Sequence, residues 1–147
     1  PFIQMIRKLG FSVKLDTNGS RPDVLVQLFV HRLLDFIALD VKAPAEKYQS
    51  IAKVPVESDA IREAIRLVLK AKIPHEFRTS IVEPLLTPQD ILAIARKIKG
   101  ARRYALQKFH PGPTLDKKYA KGKTFTDEEF MKLKAQLEKD IPLVIIR

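Results

Sequence analysis

The chain has 147 residues, 46% of them hydrophobic and 30% charged, with a formal net charge of +10 and a sequence pI near 9.9. That apolar content supports one domain, residues 1–147, with its own core, and is too little for two. Cysteine is absent, which excludes a disulfide, a thiolate-bound zinc or a cysteinyl iron–sulfur cluster held by these residues.

Phe2, Ile6 and Leu9 share one helical face, and Gly10 stands where that helix would end. Residues 11–18 read as a strand closed by the turn signal Asn18-Gly19-Ser20. Residues 22–33 return to helical period, with Pro22 in the first turn, where its missing N–H does no harm. A second strand covers 35–42, a short helix 45–52, and a longer helix 58–71 with Ile61, Ile65 and Val68 as its inner stripe. Residues 75–82 form the third strand. Thr87-Pro88-Gln89-Asp90 combines a hydroxyl cap, a proline and a first-turn acid, and Ile91, Ala95 and Ile98 carry the buried face to Gly100. The fourth strand is 103–110, and the Gly-, Pro- and Lys-rich stretch 112–123 reads as the least ordered part of the chain. Thr126 and Glu129 make a capping box for a helix presenting Phe130, Leu133 and Leu137, and residues 143–146 begin a last strand. Strands alternating with helices at this spacing imply parallel crossovers, hence an α/β sheet or part of a barrel.

Splitting each strand by its period of two exposes a polar face. Val13 and Leu15, then Ile37, Leu39 and Val41, then Phe77, Thr79 and Ile81, then Tyr104 and Leu106 take the helix side. Opposite them lie Ser12, Lys14, Asp16 and Asn18; Phe36, Ala38, Asp40 and Lys42; Glu76, Arg78 and Ser80; Ala105 and Gln107. A parallel sheet covered on both faces is near-continuously apolar, because a lone buried charge costs several kcal/mol. The interior of a barrel or its cleft tolerates such a face, with the site at the C-terminal strand ends. Mixed acids and bases suit a zwitterion better than a polyphosphate. A plainer reading is that Asp40 with Lys42 and Glu76 with Arg78 neutralise one another as internal ion pairs.

Lys14-Leu15-Asp16-Thr17-Asn18-Gly19 resembles the third-strand motif of radical S-adenosylmethionine activating enzymes, the group that includes the activators of pyruvate formate-lyase and anaerobic ribonucleotide reductase. Residues 34–43, with Asp40-Val41-Lys42, resemble the family's next strand, followed by a short helix containing Tyr48. Residues 77–82 and 104–111 match its fifth and sixth strands, so the likeness covers the chain in order and spacing. It implies a partial (β/α) barrel equivalent to strands three onward of a six-stranded barrel. By this resemblance Asp16, Thr17 and Asn18 lie near the methionyl end of S-adenosylmethionine. Asp40 and Lys42 reach the same ligand or help a monovalent cation beside it. Arg78 pairs with the ligand's carboxylate or ribose, while Gln107 and His110 border the adenine or the substrate side.

The family's Cys-x-x-x-Cys-x-x-Cys loop, which holds a 4Fe-4S cluster, and its Gly-Gly-Glu-Pro segment are both missing from these residues. The expectation is a C-terminal part of an enzyme that generates a glycyl radical on a partner enzyme, without radical activity alone and with weak affinity for S-adenosylmethionine. The unpaired edge of the first strand predicts a homodimer or an N-terminal half supplied in trans. Thirty percent charged residues, no cysteine and a single Asn fit a thermophile. With no apolar run of the ~18 to 20 residues a membrane span needs, the expected setting is cytoplasmic, with no membrane partner. A second reading is a nucleic-acid or phosphate-binding half-barrel, resting on about ten Lys and Arg against one Asp in residues 96–123. A third is a non-catalytic binding subunit.

Overall fold

A computed structural model describes residues 2–52, 58–114 and 116–147. Its strands are β1 (Lys14–Thr17), β2 (Phe36–Asp40), β3 (His75–Ile81), β4 (Tyr104–Lys108) and β5 (Val144–Ile146). They form one sheet in sequential order with every neighbouring pair parallel. The helices are α1 (Phe2–Lys8), α2 (Pro22–Val30), α3 (Ala45–Ala52), α4 (Ser58–Lys70), α5 (Pro88–Lys97) and α6 (Asp127–Leu137). Each step between strands passes through at least one helix, as parallel pairing requires.

The core lies on the helix side of the sheet. Ile37, Leu39, Phe77, Ile81, Leu106 and Val144 are buried against α4 through Ile61, Ala64 and Val68, against α5 through Ile91 and Ile94, and against α6 through Phe130, Leu133 and Leu137. Two hydroxyls enter this core with their bonds made: Thr79 Oγ1 donates to the Val41 carbonyl at 2.7 Å and meets Tyr104 Oη at 2.8 Å. Burial pushes the Tyr104 pKa far above that of a free phenol, and the Thr79 bond offsets only part of that.

Helix termini follow the local chemistry. Thr87 with Asp90, and Thr126 with Glu129, each form a reciprocal capping box. α2 stops at Val30, short of the expected residue 33. Arg32 turns left-handed at φ 50°, and Leu33 N–H closes back onto the Leu28 carbonyl at 3.0 Å.

The strands are also shorter than the sequence pattern. β1 begins at Lys14 because Val13 N–H bonds the Asp35 carboxylate at 2.7 Å instead of entering the ladder. Arg7 holds that same carboxylate at 2.6 Å, tying α1 to the β2 approach. The stretch expected to be least ordered is folded back on itself. Gly112 N–H bonds the Ala120 carbonyl at 3.0 Å, and Asp116 caps a 3-10 turn at Lys117–Tyr119; Leu115 lies outside the described residues.

Candidate functional site

The register places the polar alternates in one surface. Lys14 is level with Phe36, Asp16 with Ala38, Ala38 with Glu76, Asp40 with Arg78, Arg78 with Ala105, and Ser80 with Gln107. Ala38 and Ala105, both fully buried, stand beside the long charged side chains and leave them room.

Arg78 is the junction of this face. Its Nε donates to Asp40 Oδ1 at 2.7 Å and its Nη1 lies 3.3 Å from Asp16 Oδ1, so one guanidinium joins three neighbouring strands. Partial burial works against the Arg78 charge, but the hydrogen bond and attraction of Asp40, then those of Asp16, outweigh it and hold the group more firmly protonated. Asp16 is partly desolvated, which raises its pKa; its bond to Lys14 at 3.1 Å and the charge of Arg78 overcome this and hold the carboxyl below the usual range. Nη2 of Arg78 has no partner among the described residues and keeps two donors for a ligand.

The plainer expectation of pairing within strands is corrected. Arg78 bonds Asp40 and Asp16, not Glu76. Residues two apart on a strand sit about 6.5 Å from each other, whereas ladder partners are under 5 Å apart. Glu76, only 1% exposed, takes a bidentate clamp from Arg147, Nη1 at 3.1 Å and Nη2 at 2.8 Å, with Arg103 at 3.8 Å. Sequence reasoning missed Arg147. Continuing the parity of the last strand from Ile145, level with Ala105, would have put it on the polar face.

The remaining expected residues fall around this junction. Lys42 is exposed just past β2 and lines a cavity of about 230 Å³ together with Asp40, Arg78 and Ser80; Ile51, Val82, Leu85 and Leu86 supply its apolar wall. Thr17 and Asn18 stand at the C-terminal end of β1, where their side chains also shape the turn: Gly19 N–H bonds Thr17 Oγ1 at 3.1 Å and Ser20 N–H bonds Asn18 Oδ1 at 3.0 Å. Gln107 accepts from Ser80 Oγ at 3.4 Å on the far side of Arg78. His110 is exposed, two residues beyond β4.

Tyr48 of α3 is buried beside this group, its hydroxyl near the Lys42 backbone and the Asp40 charge without a well-formed hydrogen bond. Burial is the main cause raising its pKa, and Asp40 adds to it. A larger cavity of about 650 Å³ lies between α4 and α5 on the helix side; it contains none of the paired charges of the polar face.

Chemically, the surface offers a fixed guanidinium, a free ammonium, two carboxylates and a short apolar wall. That set fits the amino-acid end of a zwitterionic ligand carrying a further positive charge. It does not fit an iron–sulfur cluster, since there is no cysteine and no group of three or more acidic or histidine ligands among the described residues.

No family model matches the chain. In sequence it is similar to a protein of Methanocaldococcus jannaschii provisionally named a glycyl-radical enzyme activating enzyme, with 32% identity over 145 residues. The match takes in 96% of this chain and 60% of that relative, so the chain spans about three fifths of the curated protein it resembles. In structure it is similar to a domain of pyruvate-formate lyase-activating enzyme from Bacteroides vulgatus, with a TM-score of 0.75 and 21% identity over 99% of this chain and 87% of that one. At that identity the likeness establishes the fold, a partial (β/α) barrel built on five parallel strands.

Proposed function

We propose that this chain is the part of a radical S-adenosylmethionine activating enzyme that grips the amino-acid end of S-adenosylmethionine, a reading supported by its likeness to the archaeal relative. The observation that carries the reading is Arg78, held between Asp40 and Asp16 across three strands with Nη2 unengaged. Nη2 of Arg78 and the Lys42 ammonium receive the ligand carboxylate, and Asp16 and Asp40 face its positive charges. Thr17 and Asn18 close the methionyl end, while Gln107 and His110 border the adenine or substrate side. Bound with a reduced 4Fe-4S cluster, S-adenosylmethionine supplies one-electron radical chemistry; the cluster's cysteines must come from outside these residues.

The protein acted upon is a glycyl-radical enzyme. Among the described residues β1 pairs on one side alone, and a second copy or an N-terminal half in trans would cover its other edge; a clean monomer in sedimentation at high concentration would refute that pairing. The chain alone, reconstituted with iron and sulfide, is expected to form no 5′-deoxyadenosine, and its formation would overturn this part of the reading. The direct test is equilibrium dialysis of labelled S-adenosylmethionine against the anaerobically purified protein in its full encoded length. Arg78→Ala is expected to weaken binding at least about tenfold, the worth of a charge-assisted bond. Unchanged affinity in both Arg78→Ala and Asp40→Ala would refute the assignment.

A further inference from the structure

A third cavity opens just beyond the C-terminal end of β3. It is a broad groove of about 540 Å³ between the segment after β3 and the loop before α6, lined by Glu83, Pro84, Lys118, Tyr119, Lys121 and Lys123, with Gly122 at its back. The loop is fixed to the strand end at two points. Glu83 N–H bonds the Lys123 carbonyl at 2.9 Å, and Thr124 Oγ1 donates to the Ile81 carbonyl at 2.9 Å. Gly122 is packed so closely that a Cβ would come within 3.0 Å of the Phe109 ring and of the Tyr119 carbonyl. A backbone anchored at these points thus presents Lys118, Lys121 and Lys123 to the groove.

The charge on this groove is unbalanced. Lys121 and Lys123 have no acidic partner among the described residues, and Lys118 shares Asp116 at 3.5 Å. By contrast, the acids that open α6 are engaged, Asp127 by Lys108, Glu128 by Lys132 and Glu129 by its capping box. Glu83 is the single acid of the lining. The groove also adjoins the candidate site: Val82 and Leu85 line one cavity, Glu83 and Pro84 the other, so one short segment is their common wall.

An acidic protein segment fits these features better than a nucleic acid does. Single-stranded nucleic acid is gripped by exposed aromatic platforms between basic residues. Here Tyr104 is fully buried, Phe109 is half-buried over Gly122, and the Tyr119 ring is covered by Lys118 Nζ at 4.8 Å. We propose that the groove docks an acidic, extended polypeptide segment of the protein partner, seating it beside the polar face. The inference rests on the activating-enzyme reading for the partner's identity, and on the groove alone for its chemistry.

The test is fluorescence anisotropy at low salt with three labelled probes: a short Glu-Gly repeat peptide, its Gln-Gly counterpart, and a random single-stranded RNA of charge equal to the acidic peptide. The Glu-Gly peptide is expected to bind and the Gln-Gly peptide not. The paired substitution Lys121→Glu with Lys123→Glu is expected to weaken Glu-Gly binding at least about tenfold, while Lys121→Arg with Lys123→Arg retains it. RNA that binds more tightly than the peptide and loses as much in the Glu variant would overturn the proposal in favour of a nucleic-acid surface. Peptide binding indifferent to the Glu substitutions would overturn it outright. Labelled S-adenosylmethionine separates the two readings: ligand binding without peptide binding refutes the groove alone, and lysine-dependent peptide binding without ligand binding refutes the Arg78 site while upholding the groove.

Discussion

Arg78 and Asp40 are ladder partners in the β2–β3 pair, and their side chains meet on the polar face at 2.7 Å. The pair is therefore a product of register, and a slip of one residue in either strand would turn that strand's member of the pair to the helix side. Asp40→Asn keeps the shape and removes the charge, leaving the guanidinium with Asp16 at 3.3 Å. The Arg78 side chain is 13% exposed and that of Asp40 33%, so the loss falls between the buried and surface limits for ion pairs, about 1–2 kcal/mol. A double-mutant cycle of Asp40→Asn with Arg78→Gln, followed by urea unfolding, is expected to give a coupling near ~1 kcal/mol. Additive losses would mean that the contact contributes nothing.

Glu76 makes a sharper case because its side chain is 2% exposed while the Arg147 side chain is 43% exposed. Arg147→Ala strips a buried carboxylate of its bidentate partner and leaves Arg103 at 3.8 Å, at an expected cost of about 3 kcal/mol. Glu76→Gln releases an arginine that can reach water, so its cost is expected to be smaller. Combining the two should be less destabilising than Arg147→Ala alone, because the orphaned charge is gone. A double variant worse than either single one would contradict this account.

The alternation of apolar and polar residues along the strands already separated the two faces, and the hydroxyl caps at Thr87 and Thr126 marked helix starts that the structure keeps. Which charges meet was not legible, because one-dimensional spacing favours neighbours on the same strand. Among the described residues such a pair forms only on the edge strand β1, Lys14 with Asp16, where a long side chain can bend through open solvent. In the sheet interior the choice belongs to register, which gave Arg78 to Asp40. Arg147 was hidden for a different reason: the last strand was read only to residue 146, one short of the side chain that secures Glu76.

His75, at the start of β3, should make stability depend on pH well above the carboxylate range. It is 6% exposed; Nδ1 lies 3.3 Å from the Ile73 carbonyl and Nε2 has no partner among the described residues. Burial lowers its pKa below the ordinary 6.5; the Ile73 carbonyl opposes this and the Arg102 charge reinforces it. The unfolded chain therefore binds a proton at a pH where the folded one does not, and unfolding free energy rises with pH in that window. Stability is expected to fall as pH drops through about 6.5, and His75→Gln should flatten this limb of the urea-midpoint profile. Asp16, Asp35 and Asp90, all lowered from 3.8, lose their contributions only as pH falls further. A wild-type profile flat between pH ~5 and ~7 would refute the His75 assignment.

Gly19 joins stability to the site more directly than any other glycine. Its φ is 73°, and a Cβ there would stand 2.8 Å from Leu39 Cδ1 and 2.9 Å from Ala64 Cβ. Gly10 and Gly100 have comparable φ values of 85° and 97°, but nothing lies within 4 Å of a Cβ on either. Alanine at Gly10 or Gly100 therefore meets backbone strain alone, about 1–2 kcal/mol. At Gly19 overpacking adds ~1–3 kcal/mol, because the Ala64 methyl is fixed on α4 and cannot swing away. Lifting the Thr17–Asn18 turn off β2 relieves the clash and carries Asp16 away from Arg78. Gly19→Ala is thus expected to lower both the urea midpoint and the affinity for S-adenosylmethionine, whereas Gly10→Ala lowers the midpoint alone. Equal midpoint losses with unchanged affinity at both positions would show that this turn does not hold the site in place.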